Sequence, residues 1–420
     1  MIHIPSLKST TKKIPIQKLA APNMLYLPLT TYKGTLSTIV EKDSYVKKHQ
    51  KVAASEGVFA SSIHAPASGY IRGEVNIDNQ SYLMLENDFK EVAIPAKQFT
   101  INNITEDEIL STLLDFGIEG SGGAKFPTHT KYNTGSKPID TFIINAAECE
   151  PYLSADYTLL KNYTKQLLEA IQLMQKVIKA SAIVFGIEKQ HKELKPLILQ
   201  TAKNQDIPVK IKLLPNEYPQ GGELQLIKSV TGKEIPKGSI PANYGIVVSN
   251  VGTLWAIYNA FYKGTPYTNR IVTISGEKAE NIGNYEVAIG TPVSYILETI
   301  GLTWNATSQT VILGGPMMGK AVQQPEIGIN KGSGGILIIP NPTNKRYNCI
   351  QCGYCVDVCP QHLMPMEFAR YSTTEDILQL KNFHVNDCIE CGACAYICPS
   401  DVPLMNSIFK GKELLKATSL

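Results

Sequence analysis

Along residues 1–97, polar turns alternate with short Val- and Ile-rich stretches, as in VEKDSYVKKHQKVA (40–53) and SSIHAPASGYIRG (61–73). Short apolar runs between turns predict a compact β-domain. From 98 to 267 the pattern lengthens. TFIINAAE (141–148), AIVFGIE (182–188), VKIKLL (209–214) and IVVSN (246–250) read as strands. YTKQLLEAIQLMQKVIKAS (163–181) and HKELKPLILQTAKN (191–204) carry apolar residues at helical spacing. Strands alternating with helices predict a parallel sheet covered on both faces, with its carboxyl ends as the usual ligand position. Residues 268–339 return to short strands (RIVTISGE, NYEVAIGTPVSYILETIG, TVILGGPMMG, GGILIIP) and read as a small α+β domain. PNPTNKRYN (340–348) is a Pro- and Asn-rich linker into a last domain, 340–410. The predicted class is multidomain α/β and α+β.

Composition narrows the function. At 420 residues the chain is too long for one core, and 43% hydrophobic with 18% charged residues is an ordinary globular balance that argues against disorder. A net charge of +3 without a Lys/Arg block gives no footprint for nucleic acid. No apolar run approaches the roughly 20 residues of a bilayer span, and MIHIPSLKSTTKKIPIQKL lacks a signal-peptide core. The expectation is a cytoplasmic chain, held at a membrane only by partners.

Nine cysteines are present, eight of them between 349 and 398. They form CIQCGYCVDVCP (Cys349, Cys352, Cys355, Cys359) and CIECGACAYICP (Cys388, Cys391, Cys394, Cys398). Both runs have the bacterial ferredoxin spacing, in which the fourth cysteine ligates the other cluster. Cys349, Cys352, Cys355 and Cys398 are thus assigned to one 4Fe–4S cluster. Cys359, Cys388, Cys391 and Cys394 are assigned to the second. Gly353 and Gly392 let each loop pack close to its cluster. Two structural zinc sites are the alternative, but zinc does not call for three closely spaced cysteines plus a fourth before proline, twice.

GIEGSGGAKFPTHTKY (117–132) places Gly117, Gly120, Gly122 and Gly123 close together, so backbone N–H groups can approach a phosphate or flat ring, with Lys131 as an added charge. It is neither a P-loop nor a dinucleotide fingerprint, and a structural turn is the competing reading. Carboxylates follow the 141–148 strand: in NAAECEPYLSADY (145–157), Asn145, Glu148 and Glu150 gather at the strand end, where a capped helix start is the equal alternative. His64, His129, Cys149 and the Met317–Met318 pair are read as structural.

GSGGAKFPTHTKY, NAAECEPYLSADY, NEYPQGGELQLI (216–227), VSNVGTLWAIY (249–258) and GGPMMG (314–319) occur, with the double cysteine run, in the order seen in the C-subunit family of Rnf electron-transport complexes, which this chain resembles over roughly residues 5–405. The glycine loop and NAAECEP are also similar to the flavin subunit of respiratory complex I, which binds FMN and NADH. The resemblance implies a barrel-sandwich β-domain (1–97), a Rossmann-like FMN/NADH domain (98–267), a β-grasp module like soluble-ligand-binding domains (268–339) and a double 4Fe–4S ferredoxin domain (340–410). It implies that Gly120, Gly122, Gly123 and Lys131 line noncovalent FMN and that Asn145 and Glu148 fix it. Phe126 and Glu150 would face NAD(H), and Tyr218, Glu223, Asn250 and Thr253 would complete the pocket. No catalytic residue is assigned. Lys125 and Leu224 depart from residues usual in the related proteins. The implied role is peripheral, at the cytoplasmic face of the cell membrane. Electrons would pass between NADH, FMN and the clusters, with membrane subunits and an iron–sulfur subunit or ferredoxin as partners and ion translocation in the partners. A soluble corrinoid reductase and a flavin-free electron-wiring scaffold are the rival readings.

Overall fold

A computed structural model describes residues 1–236, 238–342 and 345–418. Thr343 and Asn344 of the expected linker lie outside the described residues.

Strands Met24–Pro28, Gln80–Asn87, Gly69–Ile77 and Tyr45–Val46 form an antiparallel four-stranded sheet in that order. A three-stranded sheet of Ser37–Thr38, Lys51–Ala54 and Ser62–His64 faces it. Leu25, Leu27, Val46, Val52, Ile63, Ile71, Leu83 and Leu85 fill the space between. The first eighteen residues do not join this unit. Ile2 bridges to Tyr218, and Gln17–Lys18 add a parallel edge strand beside Tyr285 and Glu286 in a later sheet.

The four strands expected between 98 and 267 are all present as one parallel sheet, in the order Val209–Leu214, Ala182–Glu188, Thr141–Ala146, Ile246–Asn250. The continuous apolar run of Thr141–Ala146 follows from burial on both faces. Phe142 and Ile144 pack in the core that includes helices Ala155–Ile178 and Val251–Tyr262, while Ile143 packs with Leu226 and Ile227 of helix Glu223–Thr231. Leu224, a departure from the family pattern, lies against this second core. Chain order reverses between the first strand and the last, so a crevice opens where Asn145 sits opposite Asn250 in register. The helix expected from 163 starts at Ala155; Tyr163 has non-helical angles (φ −130°, ψ 30°), and that break hides the first turns from a periodicity reading.

Residues 269–340 form most of a six-stranded sheet ordered Gln17–Lys18, Gly283–Ala288, Asn269–Ser275, Gly335–Pro340, Gln309–Leu313, Lys320–Ala321. Helix Val293–Thr299 occupies part of the stretch expected as strand. In the last domain, helices Pro365–Thr373, Ile377–Asn382 and Leu404–Ala417 close around Phe368, Leu380, Val385 and Ile408. Among the described residues, no helix is long and apolar enough to cross a membrane.

Candidate functional site

The two cysteine runs fold as copies of one loop. Gln351 and Glu390, and then Gly353 and Gly392, all have positive φ (55°, 59°, 81° and 76°). That winding turns main-chain N–H groups onto sulfur: Gln351 N–H donates to Cys349 Sγ at 3.4 Å and Glu390 N–H to Cys388 Sγ at 3.3 Å. Gly392 also lies so close to the Met317 carbonyl that a Cβ there would sit 2.7 Å from it. Cys349, Cys352, Cys355 and Cys398 line one hollow of about 350 Å³, open to solvent. Cys359, Cys388, Cys391 and Cys394 line a second of about 330 Å³. Each set takes its last or first member from the other run, as the spacing predicts. Among the described residues, no three His, Cys, Asp or Glu side chains converge on a single ion. Thiols arranged around a hollow suit an iron–sulfur cube better than a tetrahedral zinc. Burial pushes Cys391 up to about 11 and Cys394 up to about 12. Cys349 and Cys352 are exposed, whereas Cys391 and Cys394 are buried. The second hollow is therefore the inner one.

The glycine loop leaves the scaffold as a closed excursion. Glu119 bridges to Pro127, and Gly120 N–H donates to the Phe126 carbonyl at 2.9 Å. At its tip Gly122, Gly123 and Ala124 are exposed. Gly123 has φ +101° with open space where a Cβ would stand. Gly122 lies beside the Asn250 side chain, which caps helix Val251–Tyr262 through Gly252 N–H (2.8 Å) and donates to Asp156 (2.6 Å). Ser121 N–H donates to Thr253 Oγ1 at 2.9 Å, fixing the loop over that helix start. Exposed, side-chain-free backbone beside a helix N-terminus fits the phosphate and ring of a flavin.

Lys131 does not stand free. Its ammonium pairs with Glu223 at 2.7 Å and donates to the Val248 carbonyl at 3.1 Å. Asn145 donates to the Gly221 carbonyl at 2.9 Å and accepts from Ala147 N–H. Glu148 accepts from the first amides of helix Ala155–Ile178, at 3.2 Å from Asp156 and 3.4 Å from Tyr157. Burial raises its carboxyl to about 7, with Lys8 opposing and Asp156 adding to the rise. Glu150 accepts from Met317 N–H (3.1 Å) and Met318 N–H (2.9 Å) of the third domain, and burial raises its carboxyl too. Tyr218 is 1% exposed and its hydroxyl donates to the Cys391 carbonyl at 2.7 Å. The structure thus gathers Gly120, Gly122, Gly123, Phe126, Lys131, Asn145, Glu223, Asn250 and Thr253 around the crevice. Glu148 is bonded to the start of helix Ala155–Ile178, while Glu150 and Tyr218 are bonded to the third domain and the second cysteine loop.

Several residues that contact these groups or the glycine loop escape a reading of the sequence. Lys8 is 1% exposed and donates to the Glu148 carbonyl. Arg270 donates to the carbonyls of Lys331 and Ser121, and the Tyr267 hydroxyl pairs with Ser121 Oγ at 2.7 Å. Lys331 lies 3.6 Å from Glu119, both buried. Lys125 sends its ammonium to the Thr30 carbonyl, away from the crevice (3.1 Å), so this departure joins the loop to the N-terminal domain. Asp156 lies within NAAECEPYLSADY and Lys125 within the glycine loop; Lys8, Tyr267, Arg270 and Lys331 sit in unremarkable strands, loops or the N-terminal strap, with no local signal to mark them.

Three family models match. Residues 2–94 match the RnfC barrel sandwich hybrid domain, 113–259 the Nuo51 FMN-binding domain and 348–402 the 4Fe-4S dicluster domain. The C subunit of the ion-translocating oxidoreductase complex of Vibrio cholerae is 35% identical over 92% of this chain and 51% of its own length. The C subunit of the Na(+)-translocating ferredoxin:NAD(+) oxidoreductase complex of Acetobacterium woodii is 34% identical over 88% of this chain and 86% of its own. The proton-translocating counterpart of Clostridium ljungdahlii is 34% identical over 87% and 82%. An NAD+-reducing [NiFe]-hydrogenase in the H2-reduced state shares the fold, with TM-score 0.53 and 18% identity over 78% of this chain and 69% of that one. Fold and site define a protein that joins an FMN-binding domain to a 4Fe–4S dicluster domain. The chain spans about half the length of the Vibrio relative and most of the Acetobacterium one. It belongs to the family of C subunits of ion-translocating ferredoxin:NAD oxidoreductase complexes.

Proposed function

We propose that this chain exchanges electrons between NAD(H), noncovalent FMN and two 4Fe–4S clusters, as a peripheral subunit at the cytoplasmic face of a complex whose membrane subunits translocate the ion. Bound in the crevice, FMN exchanges electron pairs with a nicotinamide and single electrons with iron–sulfur clusters. One observation supports the reading: the Tyr218 hydroxyl, from the FMN-binding domain, is hydrogen-bonded to the Cys391 carbonyl of the inner thiol set, so the two domains are joined there.

In this reading Gly120, Gly122 and Gly123 offer backbone to the flavin phosphate and ring, and Lys131 offers charge. Asn145 and Glu148 hold the flavin from the strand end, and Glu223, Asn250 and Thr253 bound it. Phe126 faces the nucleotide. Glu150 and Tyr218 position the inner cysteine loop against the crevice. The inner and outer thiol sets would hold one cluster each, and the exposed Cys349 and Cys352 would put the outer cluster within reach of an iron–sulfur partner. The 268–339 region takes the β-grasp role, with domain limits near 97, 267 and 339.

Anaerobic purification of the chain tests this. Acid should release FMN, and iron and acid-labile sulfide should each approach about eight per chain. NADH should reduce an artificial acceptor. Intact clusters without flavin, or stoichiometric zinc with little sulfide, would overturn the reading.

A further inference from the structure

The first eighteen residues lie across the other domains as a strap, and Lys8 is its buried middle. Ile2 N–H donates to the Tyr218 carbonyl at 3.0 Å, Tyr152 N–H to the Ser6 carbonyl at 2.8 Å, and Ser154 Oγ to Thr11 Oγ1 at 2.8 Å. Gln17–Lys18 then join the sheet of the third domain. Between these anchors Lys8 is 1% exposed, and its ammonium donates to the Glu148 carbonyl. The Glu148 carboxylate accepts the Asp156 and Tyr157 amides, so Lys8 and the start of helix Ala155–Ile178 hold the two ends of one residue.

A strut that pins the strap is the simplest account of Lys8, and its surroundings count against it. Neutral bonds already fix the strap on both sides of Lys8, whereas burying an ammonium costs far more than burying an amide. Among the described residues, the Glu148 carbonyl is the sole hydrogen-bond acceptor of this ammonium, and no carboxylate oxygen lies within 4.0 Å of it. Its other donors have no protein partner there. Acids surround it at longer range. Burial raises the carboxyls of Glu148, Glu150, Asp156 and Glu188, and Lys8 opposes each rise. Glu188 ends strand Ala182–Glu188, and the other three follow strand Thr141–Ala146, so the cation stands at the ligand-binding end of the sheet. A buried cation with spare donors at that end suits a group that gains negative charge. A flavin does so on reduction, and nearby charge is one means by which a protein sets its electronics.

We propose that Lys8 is a positioning residue of the flavin site: it fixes the Glu148 main chain and supplies the positive charge that favours the reduced, anionic flavin over the oxidised one. The N-terminal strap is then part of the redox centre, although it lies outside the FMN-binding domain. The proposal rests on the FMN reading above. It assigns Lys8 no proton or electron to transfer.

The test uses the full chain loaded with FMN and clusters, and three substitutions that separate charge from bonding. Lys8→Arg keeps both, Lys8→Gln keeps a donor for the Glu148 carbonyl without the charge, and Lys8→Met keeps neither. The two-electron midpoint potential of bound FMN is read in anaerobic titrations against redox dyes, with acid-released FMN and cluster absorbance as controls. Lys8→Gln and Lys8→Met should each lower the preference for reduced over oxidised FMN about tenfold, a fall of about 30 mV. Lys8→Gln should retain as much FMN as the parent, and Lys8→Arg should titrate as the parent does. If Lys8→Gln also titrates as the parent, the charge plays no part and the proposal is overturned while the FMN reading stands. A fall of the same size in all three variants would overturn it too, because bond geometry and not charge would then set the potential. Should Lys8→Met lose its flavin or clusters, the comparison of Lys8→Gln with Lys8→Arg still decides. If the parent holds its clusters but no FMN, the flavin reading falls and takes the proposal with it.

Discussion

The Tyr218 hydroxyl donates a 2.7 Å hydrogen bond to the main-chain carbonyl of Cys391, and both residues are buried. Around this bond, Ile2, Ile4, Cys149, Met317, Ile389 and Ala393 make an apolar joint among the N-terminal strap, the FMN-binding domain, the third domain and the dicluster domain. Glu150 completes the joint by accepting the Met317 and Met318 amides, whose turn packs on Gly392. The inner cysteine loop is thus held to the FMN-binding domain by polar bonds at its edges and apolar packing between them.

Tyr218→Phe keeps the ring and removes the bond. Stability should fall by about 1 kcal/mol, and both clusters should still assemble. In anaerobic stopped-flow measurements, flavin bleaching by NADH should proceed as in the parent, while cluster bleaching should slow. Unchanged cluster kinetics would show that the bond is not what sets the cluster loop against the flavin site.

Cys398 follows Cys394 by four positions, yet it lines the hollow of Cys349, Cys352 and Cys355. Cys398→Ser should therefore disturb the same paramagnetic centre as Cys355→Ser, and Cys359→Ser the same centre as Cys394→Ser. Each variant should retain one intact cluster, with iron falling from about eight to about four per chain. Electron paramagnetic resonance of the reduced variants checks the pairing.

That pairing is legible in the sequence because it is nearly covalent: three cysteines within seven residues can reach only one cube, so the fourth is released to the other. The four central strands are legible as apolar runs for a similarly local reason, burial on both faces. Their order, and so the opposition of Asn145 and Asn250, depends on crossovers that leave no periodic mark. Lys8 meets Glu148 across 140 residues, and Lys331 meets Ser62 across 269. A buried lysine looks like a surface lysine until the chain is folded.

Glu148 gives the fold a pH dependence. Burial raises its folded pKa to about 7, above the ordinary glutamate value of about 4.3. Folding therefore favours the neutral form. The associated stability is fully present below about pH 4.3 and is lost as pH rises through about 7. Anaerobic thermal unfolding of the loaded chain should show a falling midpoint across that window. Glu148→Gln, which keeps an acceptor for the Asp156 and Tyr157 amides, should flatten the fall. A profile identical to the parent's would locate the pH dependence in another group.

Lys331 ties three domains at the root of the glycine loop. Its ammonium donates to the Ser62 carbonyl (2.7 Å) and the Gly117 carbonyl (2.8 Å) and lies 3.6 Å from the Glu119 carboxylate. Burial lowers its pKa, and Glu119 opposes that fall. Both charges are removed from water, so the pair is tolerable only while both members are present. Lys331→Met leaves Glu119 buried without its cation and should cost about 3–5 kcal/mol in urea unfolding. Adding Glu119→Gln removes the stranded charge and should recover much of that loss, although each substitution alone removes a contact. FMN retention should follow the same order, because Glu119 directly precedes Gly120 and bridges to Pro127 at the loop's neck. If the double variant is no more stable than Lys331→Met, the cost lies in the lost carbonyl contacts of Lys331 and not in the stranded carboxylate.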